Sequence, residues 1–432
     1  MALTAGLILL ISFVILLVIG VPISVCIGIS AVITTASVVP LDIGIFTAAQ
    51  KVFSGIDSFS LLAVPFFVLS GNIMNKGGIA LRLVNLAKLI GGRLPGALAH
   101  TNVLGNMLFG SISGSAVAAA AAVGGTMAPL QEKEGYDKAY SAAVNIASSP
   151  TGMLIPPSGA LILFSLVSGG TSISALFIAG YLPGILMGLG VMIVAYIIAK
   201  KEKYPVAERP SFKEAIEIVW KALPSLLMVL IVIGGIVLGV FTATEGAAVA
   251  VLYTFILSLI YKTLKIEEIP RLLLDTVVMT GVILFLVGAS SIMSWVMAYT
   301  GIPTAISQAI LSVSDNKYII LFIMNVTLLI VGTFMDLTPA VLIFTPIFLP
   351  IATKLGLHPV HFGIILIFNL CIGIMTPPVG SSLFIGCSVG NVTIEEVIKP
   401  LLPFFAVLIL TLMIVTYVPA ISLILPKIFG LI

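Results

Sequence analysis

From residue 3 to residue 425 the chain is a succession of apolar runs of bilayer length, separated by short loops that carry nearly all of its charge. A hydrocarbon core needs about 20 apolar residues per helix. On that spacing, spans are predicted near 3–20, 21–40, 59–75, 138–168, 173–199, 220–240, 244–261, 272–297, 359–390 and 400–425. Composition agrees, since 60% of the 432 residues are hydrophobic and 9% charged, against about 25% charged in soluble domains. In lipid every backbone polar group needs an internal partner, so the chain is read as an all-α polytopic membrane protein. Two apolar regions, 97–130 and 318–353, each hold two half-length helices broken by GSISGS and FMDLTP. Both are predicted to be re-entrant hairpins that return to the side they entered from.

Charge orients this layout. With the hairpins counted as non-crossing, one face receives all of the 20 lysines and arginines, Arg209 among them, except Lys51, Lys317, Lys354 and Lys427. By the positive-inside rule the crowded face is cytoplasmic, which places both termini outside. No basic residue precedes Lys51, which argues against a cleaved leader with a basic start. The net charge of +3 thus reflects topology and gives no reason to expect nucleic acid. Cys26, Cys371 and Cys387 lie in or beside apolar stretches without metal-ligand spacing and read as small buried hydrophobes. The sequon at Asn391 faces the cytoplasm and is set aside.

The segment IPPSG at 155–159 recurs as TPPVG at 376–380, so Pro156, Pro157 and Gly159 return as Pro377, Pro378 and Gly380. Gly110 and Gly332, Pro129 and Pro350, and Gly135 and Gly356 keep nearly the same offset, and NIM at 72–74 echoes as SIM at 291–293. The chain therefore reads as two copies of a unit with five spans and one hairpin. Five is odd, so the second copy is inverted relative to the first. Inverted repeats with discontinuous helices at matching positions point to a secondary transporter with a midplane binding site.

Proline has no N–H to give to the carbonyl four residues earlier. The doublets therefore release the carbonyls of Gly152 and Met153, and of Gly373 and Ile374, which in hydrocarbon need a partner. Such oxygens suit a monovalent cation. Hydroxyls stand nearby at Ser111, Ser113, Ser115, Ser148, Ser149, Thr151, Thr338 and Thr376. Asp336, at the second hairpin tip, is costly in an apolar setting and is read as functional, with helix capping as a coexisting role. Glu245 reads as a helix cap at the outer end of a span. Half-helix N-termini exposed by the breaks would attract an anion. Segments 77–93, with Arg82, Asn85 and Lys88 on one strip, and 302–316 read as amphipathic interfacial helices preceding the hairpins. His358 and His361 read as a solvated helix end and not as the base of an intramembrane enzyme. A sodium/proton antiporter would call for more midplane carboxylates than Asp336.

The motifs GSISGSAVA, SSPTGMLIPPSG, FMDLTPAVLIFTPIFLP and MTPPVGSSLF, taken together, resemble the large membrane subunit of tripartite ATP-independent periplasmic (TRAP) transporters along essentially the whole chain. The resemblance implies an elevator-type symporter driven by sodium ions, without an organic cofactor. Its substrate would be a carboxylate of the dicarboxylate, keto acid or sialic acid class, imported across the bacterial inner membrane. Its partners would be a small four-helix membrane subunit and a soluble periplasmic substrate-binding protein. One sodium site would use Ser111, Ser113, Ser149 and Gly152, and the other Gly332, Asp336, Thr338, Gly373 and Thr376. Substrate would lie near Ser115, Ser158 and Ser381. Residues 1–96, 173–317 and 396–432 would form the scaffold, and 97–172 and 318–395 the transport domain. The rival reading is a standalone sodium-coupled dicarboxylate symporter that needs no binding protein.

Overall fold

The computed structural model describes residues 1–206, 211–314 and 316–432, which are helical throughout with no strand among them; Arg209 lies outside the described residues. The first half holds α1 (Ala2–Val18), α2 (Ile23–Val38), α3 (Leu41–Ile56), α4 (Ala63–Lys76), α5 (Ile79–Gly91) and α6 (Ala97–Ser113). It continues with α7 (Ala116–Lys133), α8 (Lys138–Ser148), α9 (Thr151–Leu154), α10 (Gly159–Val167) and α11 (Ile173–Lys201). The second half holds α12 (Phe212–Val237), α13 (Ala243–Ile260), α14 (Ile269–Thr300), α15 (Ile302–Leu311) and α16 (Lys317–Phe334). It ends with α17 (Leu337–Lys354), α18 (Pro359–Gly373), α19 (Ser381–Gly390), α20 (Ile394–Tyr417) and α21 (Ala420–Ile428).

Among the described residues eight helices are long and apolar enough to cross a membrane, or nine when the pair Lys138–Leu154 and Gly159–Val167, bent by 49°, is one span. This tally includes both arms of the second hairpin and leaves out α1 and α2, which at 17 and 16 residues reach about 25 Å at ~1.5 Å per residue.

Several boundaries differ from those read in the sequence. Residues 41–56 form α3, a separate helix where the repeat offset places the first turns of the long, uninterrupted α14 in the second half. The apolar positions of α3 cover one face only and miss a span-length criterion. The helix of the sixth span starts at Phe212, where Ser211 and Glu214 form a capping box, and that of the last at Ile394, where Thr393 and Glu396 do the same. The first hairpin turns only at Gly114 and Ser115, so Gly110, Ser111 and Ser113 are helical. Glu245 caps its helix as expected, boxed with Thr242.

Both hairpins end in the same C-cap. Gly135 and Gly356 stand at φ +80° and +79°, where glycine alone is unstrained. Tyr136 N–H donates to Gln131 O and Gly135 N–H to Glu132 O, and Leu357 N–H donates to Ala352 O and Gly356 N–H to Thr353 O. This is the Schellman pattern, which satisfies the last carbonyls and stops the helix.

The halves exchange partners. α2 packs on α14 and α13 on α4, α7 packs on α19 and α17 on α10, and α8 packs on α20 and α18 on α11. At the centre, Tyr140–Ser148 of α8 and Val360–Gly373 of α18 are buried all round, while α1, α12 and α14 present exposed leucine, isoleucine and valine outward. Helices apolar on all faces can be buried or face lipid, and this fold uses both settings. α11 packs along α6, α8, α9, α10 and α18, and α20 along α8, α11 and α18.

Candidate functional site

The first arm of each hairpin crosses its broken helix at a pair of glycines. A Cβ built on Gly110 would lie 2.8 Å from Gly152 Cα, and one on Gly332 would lie 2.9 Å from Gly373 Cα. Real Cβ contacts are never so short, so only glycine on both helices permits the approach. Backbone therefore meets backbone one turn or less from Ser111, Ser113 and Ser149 in the first half. In the second half the crossing lies beside the Met335–Asp336 turn.

The proline doublets interrupt the helices as expected. α9 ends at Leu154 before Pro156 and Pro157, and α18 ends at Gly373 before Pro377 and Pro378; each doublet is joined by a cis peptide bond. Three of the four released carbonyls, those of Met153, Gly373 and Ile374, are not bare, which corrects the sequence reading. Ser158 Oγ donates to Met153 O, Thr376 N–H donates to Gly373 O over 2.9 Å, and Ser382 N–H to Ile374 O over 3.0 Å. A carbonyl has two lone pairs, so each of these keeps one for another donor or a cation.

Between the two hairpin tips lies a cavity of about 250 Å³. Its lining includes Ser113, Gly114, Ser115 and Ala116 of the first tip and Asp336, Leu337 and Thr338 of the second, with Gly159 and Ser381 where the helices resume. α7, α10, α17 and α19 all begin on this lining. Each N-terminus carries about half a positive charge from its unpaired N–H groups, so the cavity gathers four such ends. Among the described residues Asp336 is its one ionisable side chain. Asp336 occupies the N-cap position of α17 without making a side-chain cap bond; its Oδ1 accepts instead from Ser381 Oγ over 3.1 Å. The far wall comes from other helices: Val64, Phe67, Val68, Gly71 and Asn72 of α4, and Met279 and Ile283 of α14.

Of the residues singled out in the sequence, Ser113, Ser115, Asp336, Thr338 and Ser381 share this cavity. Ser158 does not: it is fully buried, its hydroxyl turned back to Met153 O. Ser111 and Ser149 are buried beside the glycine crossing and donate to Leu108 O and Ile146 O. Thr376 Oγ1 donates to Ile372 O over 2.7 Å. His361 is buried, with Nε2 3.2 Å from Thr416 O, and so is not a solvated helix end; His358 caps α18 through Nδ1. The sequence reading missed Asn72, whose Nδ2 donates to Thr276 Oγ1. The NIM echo was the only signal at that position.

The all-helical arrangement of paired hairpins around an internal cavity has a counterpart among solved membrane proteins. The crystal structure of the Alcanivorax borkumensis YdaH transporter, described as having an unusual topology, shares it at a TM-score of 0.60 over 86% of this chain and 88% of that one, at 14% identity. The family model "Tripartite ATP-independent periplasmic transporter, DctM component" matches residues 10–421. The chain belongs to this family. It is 56% identical to "Uncharacterized protein YgiK" of Salmonella typhimurium over 97% of this chain and 96% of that protein. It is 40% identical to the isethionate TRAP transporter permease protein DctMQ of Oleidesulfovibrio alaskensis over 95% of this chain and 65% of that protein. It is 39% identical to the C4-dicarboxylate TRAP transporter large permease protein DctM of Pseudomonas aeruginosa over 89% and 90%. The chain is thus a multi-pass transporter permease.

Proposed function

We propose that this chain is the translocating subunit of a sodium-coupled, binding-protein-dependent symporter that imports a carboxylate across the bacterial inner membrane, with both termini on the periplasmic side. The observation that carries this reading is the convergence of four helix N-termini and one carboxylate, Asp336, on the cavity between matched hairpin tips. Helix N-termini favour an anion. Among the described residues the lining holds no lysine, arginine or histidine, so co-bound cations would supply the remaining positive charge. Relatives named for a C4-dicarboxylate and for isethionate, a sulfonate, support an oxyanion head group.

Sodium would bind on each side of this cavity. The first site takes Ser111, Ser113, Ser149 and Gly152, and the second takes Gly332, Asp336, Thr338, Gly373 and Thr376. The glycine crossings support these sets because they bring hairpin and broken-helix carbonyls together. Substrate would be held by Ser115 and Ser381, with Ser158 shaping the break behind them.

The two inverted halves would work as an elevator. The hairpins and broken helices, with α11 and α20, form the moving body; α2, α4, α13 and α14, which pack on one another, belong to the static one. This shifts α11 and α20 from the scaffold assigned by sequence to the transport side. A separate small four-helix subunit and a periplasmic binding protein complete the system. The relative named DctMQ, of which this chain spans 65%, supports the first of these.

The test is reconstitution into liposomes with the small subunit and candidate binding proteins, under an imposed sodium gradient. Sodium-dependent uptake that requires the binding protein is the expected result. Uptake by this chain alone would instead indicate the standalone symporter, and uptake indifferent to sodium would overturn the coupling.

A further inference from the structure

Each hairpin is tied to its broken helix by buried asparagines near the glycine crossing: Asn106 with Asn145 in the first half, where Asn102 Nδ2 also donates to Asn145 Oδ1 over 3.3 Å, and Asn325 with Asn369 in the second. In the first half Asn106 Nδ2 donates to Asn145 Oδ1 over 3.0 Å and to Ser148 Oγ over 2.7 Å. Asn145 Nδ2 donates to Ala120 O of the other hairpin arm over 2.9 Å. In the second half Asn369 Nδ2 donates to Asn325 Oδ1, and Asn325 Nδ2 to Thr416 Oγ1 over 3.1 Å. These asparagines are nearly or fully buried.

Their spacing to the crossings is reciprocal. Asn106 lies one turn before Gly110 on the hairpin, and Asn145 two turns before Gly152 on the broken helix. Asn325 lies two turns before Gly332 on the hairpin, and Asn369 one turn before Gly373 on the broken helix. For Asn106, Asn325 and Asn369 the offset falls within one α-helix and keeps the asparagine on the face that carries the glycine, whereas Asn145 lies in the last turn of α8, before the Ser149–Pro150 break that leads to Gly152 in α9. The amide pair therefore sets how deep the hairpin arm sits against the broken helix, and the glycine crossing inherits that depth.

These amides are poor choices for stability alone. Among the described residues Oδ1 of Asn106 and of Asn369 has no hydrogen-bond partner, and a buried acceptor left unpaired is destabilising. An aliphatic pair would pack the same space without that cost.

We propose that Asn106 with Asn145, and Asn325 with Asn369, are positioning residues for the two cation sites. They touch no ion; they hold the carbonyl-bearing glycines and neighbouring serines at ligating separation. This rests on the sodium-coupled reading given above. Ser148, which accepts from Asn106, carries the same constraint to Ser149, the next residue in the chain.

The experiment is a sodium titration of the purified protein at constant ionic strength, with potassium as the balancing ion. The sodium concentration giving half-maximal thermal stabilisation is read. Asn106→Ala and Asn325→Ala are each expected to raise it about tenfold, at the low end of what outer-shell partners contribute to metal affinity. Ser148→Ala, a small change that leaves both asparagines in place, should raise it about threefold, the effect of losing one ordinary hydrogen bond. Thr101→Ala, on the same helix as Asn106 but bonded only to Ala97 O, should lower thermal stability without moving the midpoint. A wild type that responds to sodium with unchanged midpoints in Asn106→Ala and Ser148→Ala overturns the inference and leaves sodium coupling standing. A wild type with no sodium-specific response overturns the coupling itself, and the inference with it.

Discussion

Ser381 Oγ donates a hydrogen bond to Asp336 Oδ1 across 3.1 Å, joining the first residue of a resumed half-helix to the turn of the second hairpin. The contact places the cavity's carboxylate between two helix N-termini instead of on its own. A carboxylate so placed can ligate a cation through its second oxygen while the serine holds the first.

Asp336→Ala should abolish sodium-dependent uptake, or reduce it about a hundredfold or more, because a contact to a charged group contributes about 3 kcal/mol at its upper end. Ser381→Ala removes only the orienting hydroxyl and should cost about tenfold. The measurement is initial uptake rate against sodium concentration in proteoliposomes. Wild-type sodium dependence in Asp336→Ala would remove this residue from the mechanism.

Gly152→Ala and Gly373→Ala should each destabilise the protein by about 1–3 kcal/mol, the range for overpacking a filled interior, and should impair uptake in the fraction that folds. A side chain at either position runs into the backbone of Gly110 or Gly332. Gly125→Ala is the control, since nothing lies within 4 Å of a Cβ there. Thermal unfolding of the three variants separates the crossings from the general effect of removing glycine.

Gly71→Cys combined with Ser113→Cys, compared with its own reduced form because Ser113 belongs to the proposed first sodium site, should lose its remaining transport under oxidising conditions and return to that reduced level on reduction. A Cβ at Gly71 would stand 3.6 Å from Ser113 Cβ, inside the usual disulfide range of about 3.5–4.5 Å. The bridge would tie the first hairpin tip to α4, and the proposed elevator movement could not occur while it holds. The native Cys26, Cys371 and Cys387 are all buried. Transport by the bridged protein equal to that of its reduced form would show that the tip does not move past α4.

Ser158→Ala should lower the maximal uptake rate several-fold while leaving the substrate concentration for half-maximal uptake unchanged. Its hydroxyl satisfies the carbonyl of Met153 that Pro157 releases and does not reach the cavity lining. A shift confined to substrate affinity would instead make Ser158 a substrate contact.

Much of this molecule is legible from residue order because a membrane narrows the choices. Long apolar stretches must be helices, proline doublets must interrupt them, and a duplicated doublet in register marks a repeat. Asp336 stood out for the same reason, as a lone charge in an apolar segment. α3 was missed because sixteen residues with Asp42, Gln50 and Lys51 carry no span-length signal. Ser158 was misplaced because spacing alone cannot say whether a hydroxyl faces a cavity or its own backbone.

Residue order alone determined that the chain lives in a bilayer, where its helices break and which glycines recur. Only the tertiary structure decided which partners the released carbonyls take, that asparagines far apart in the chain pair beneath each glycine crossing, and that four helix ends meet at one cavity. The physical reason is range. Backbone satisfaction is settled within four residues along the chain, whereas a site is made by side chains and helix termini that only packing between the two halves brings together.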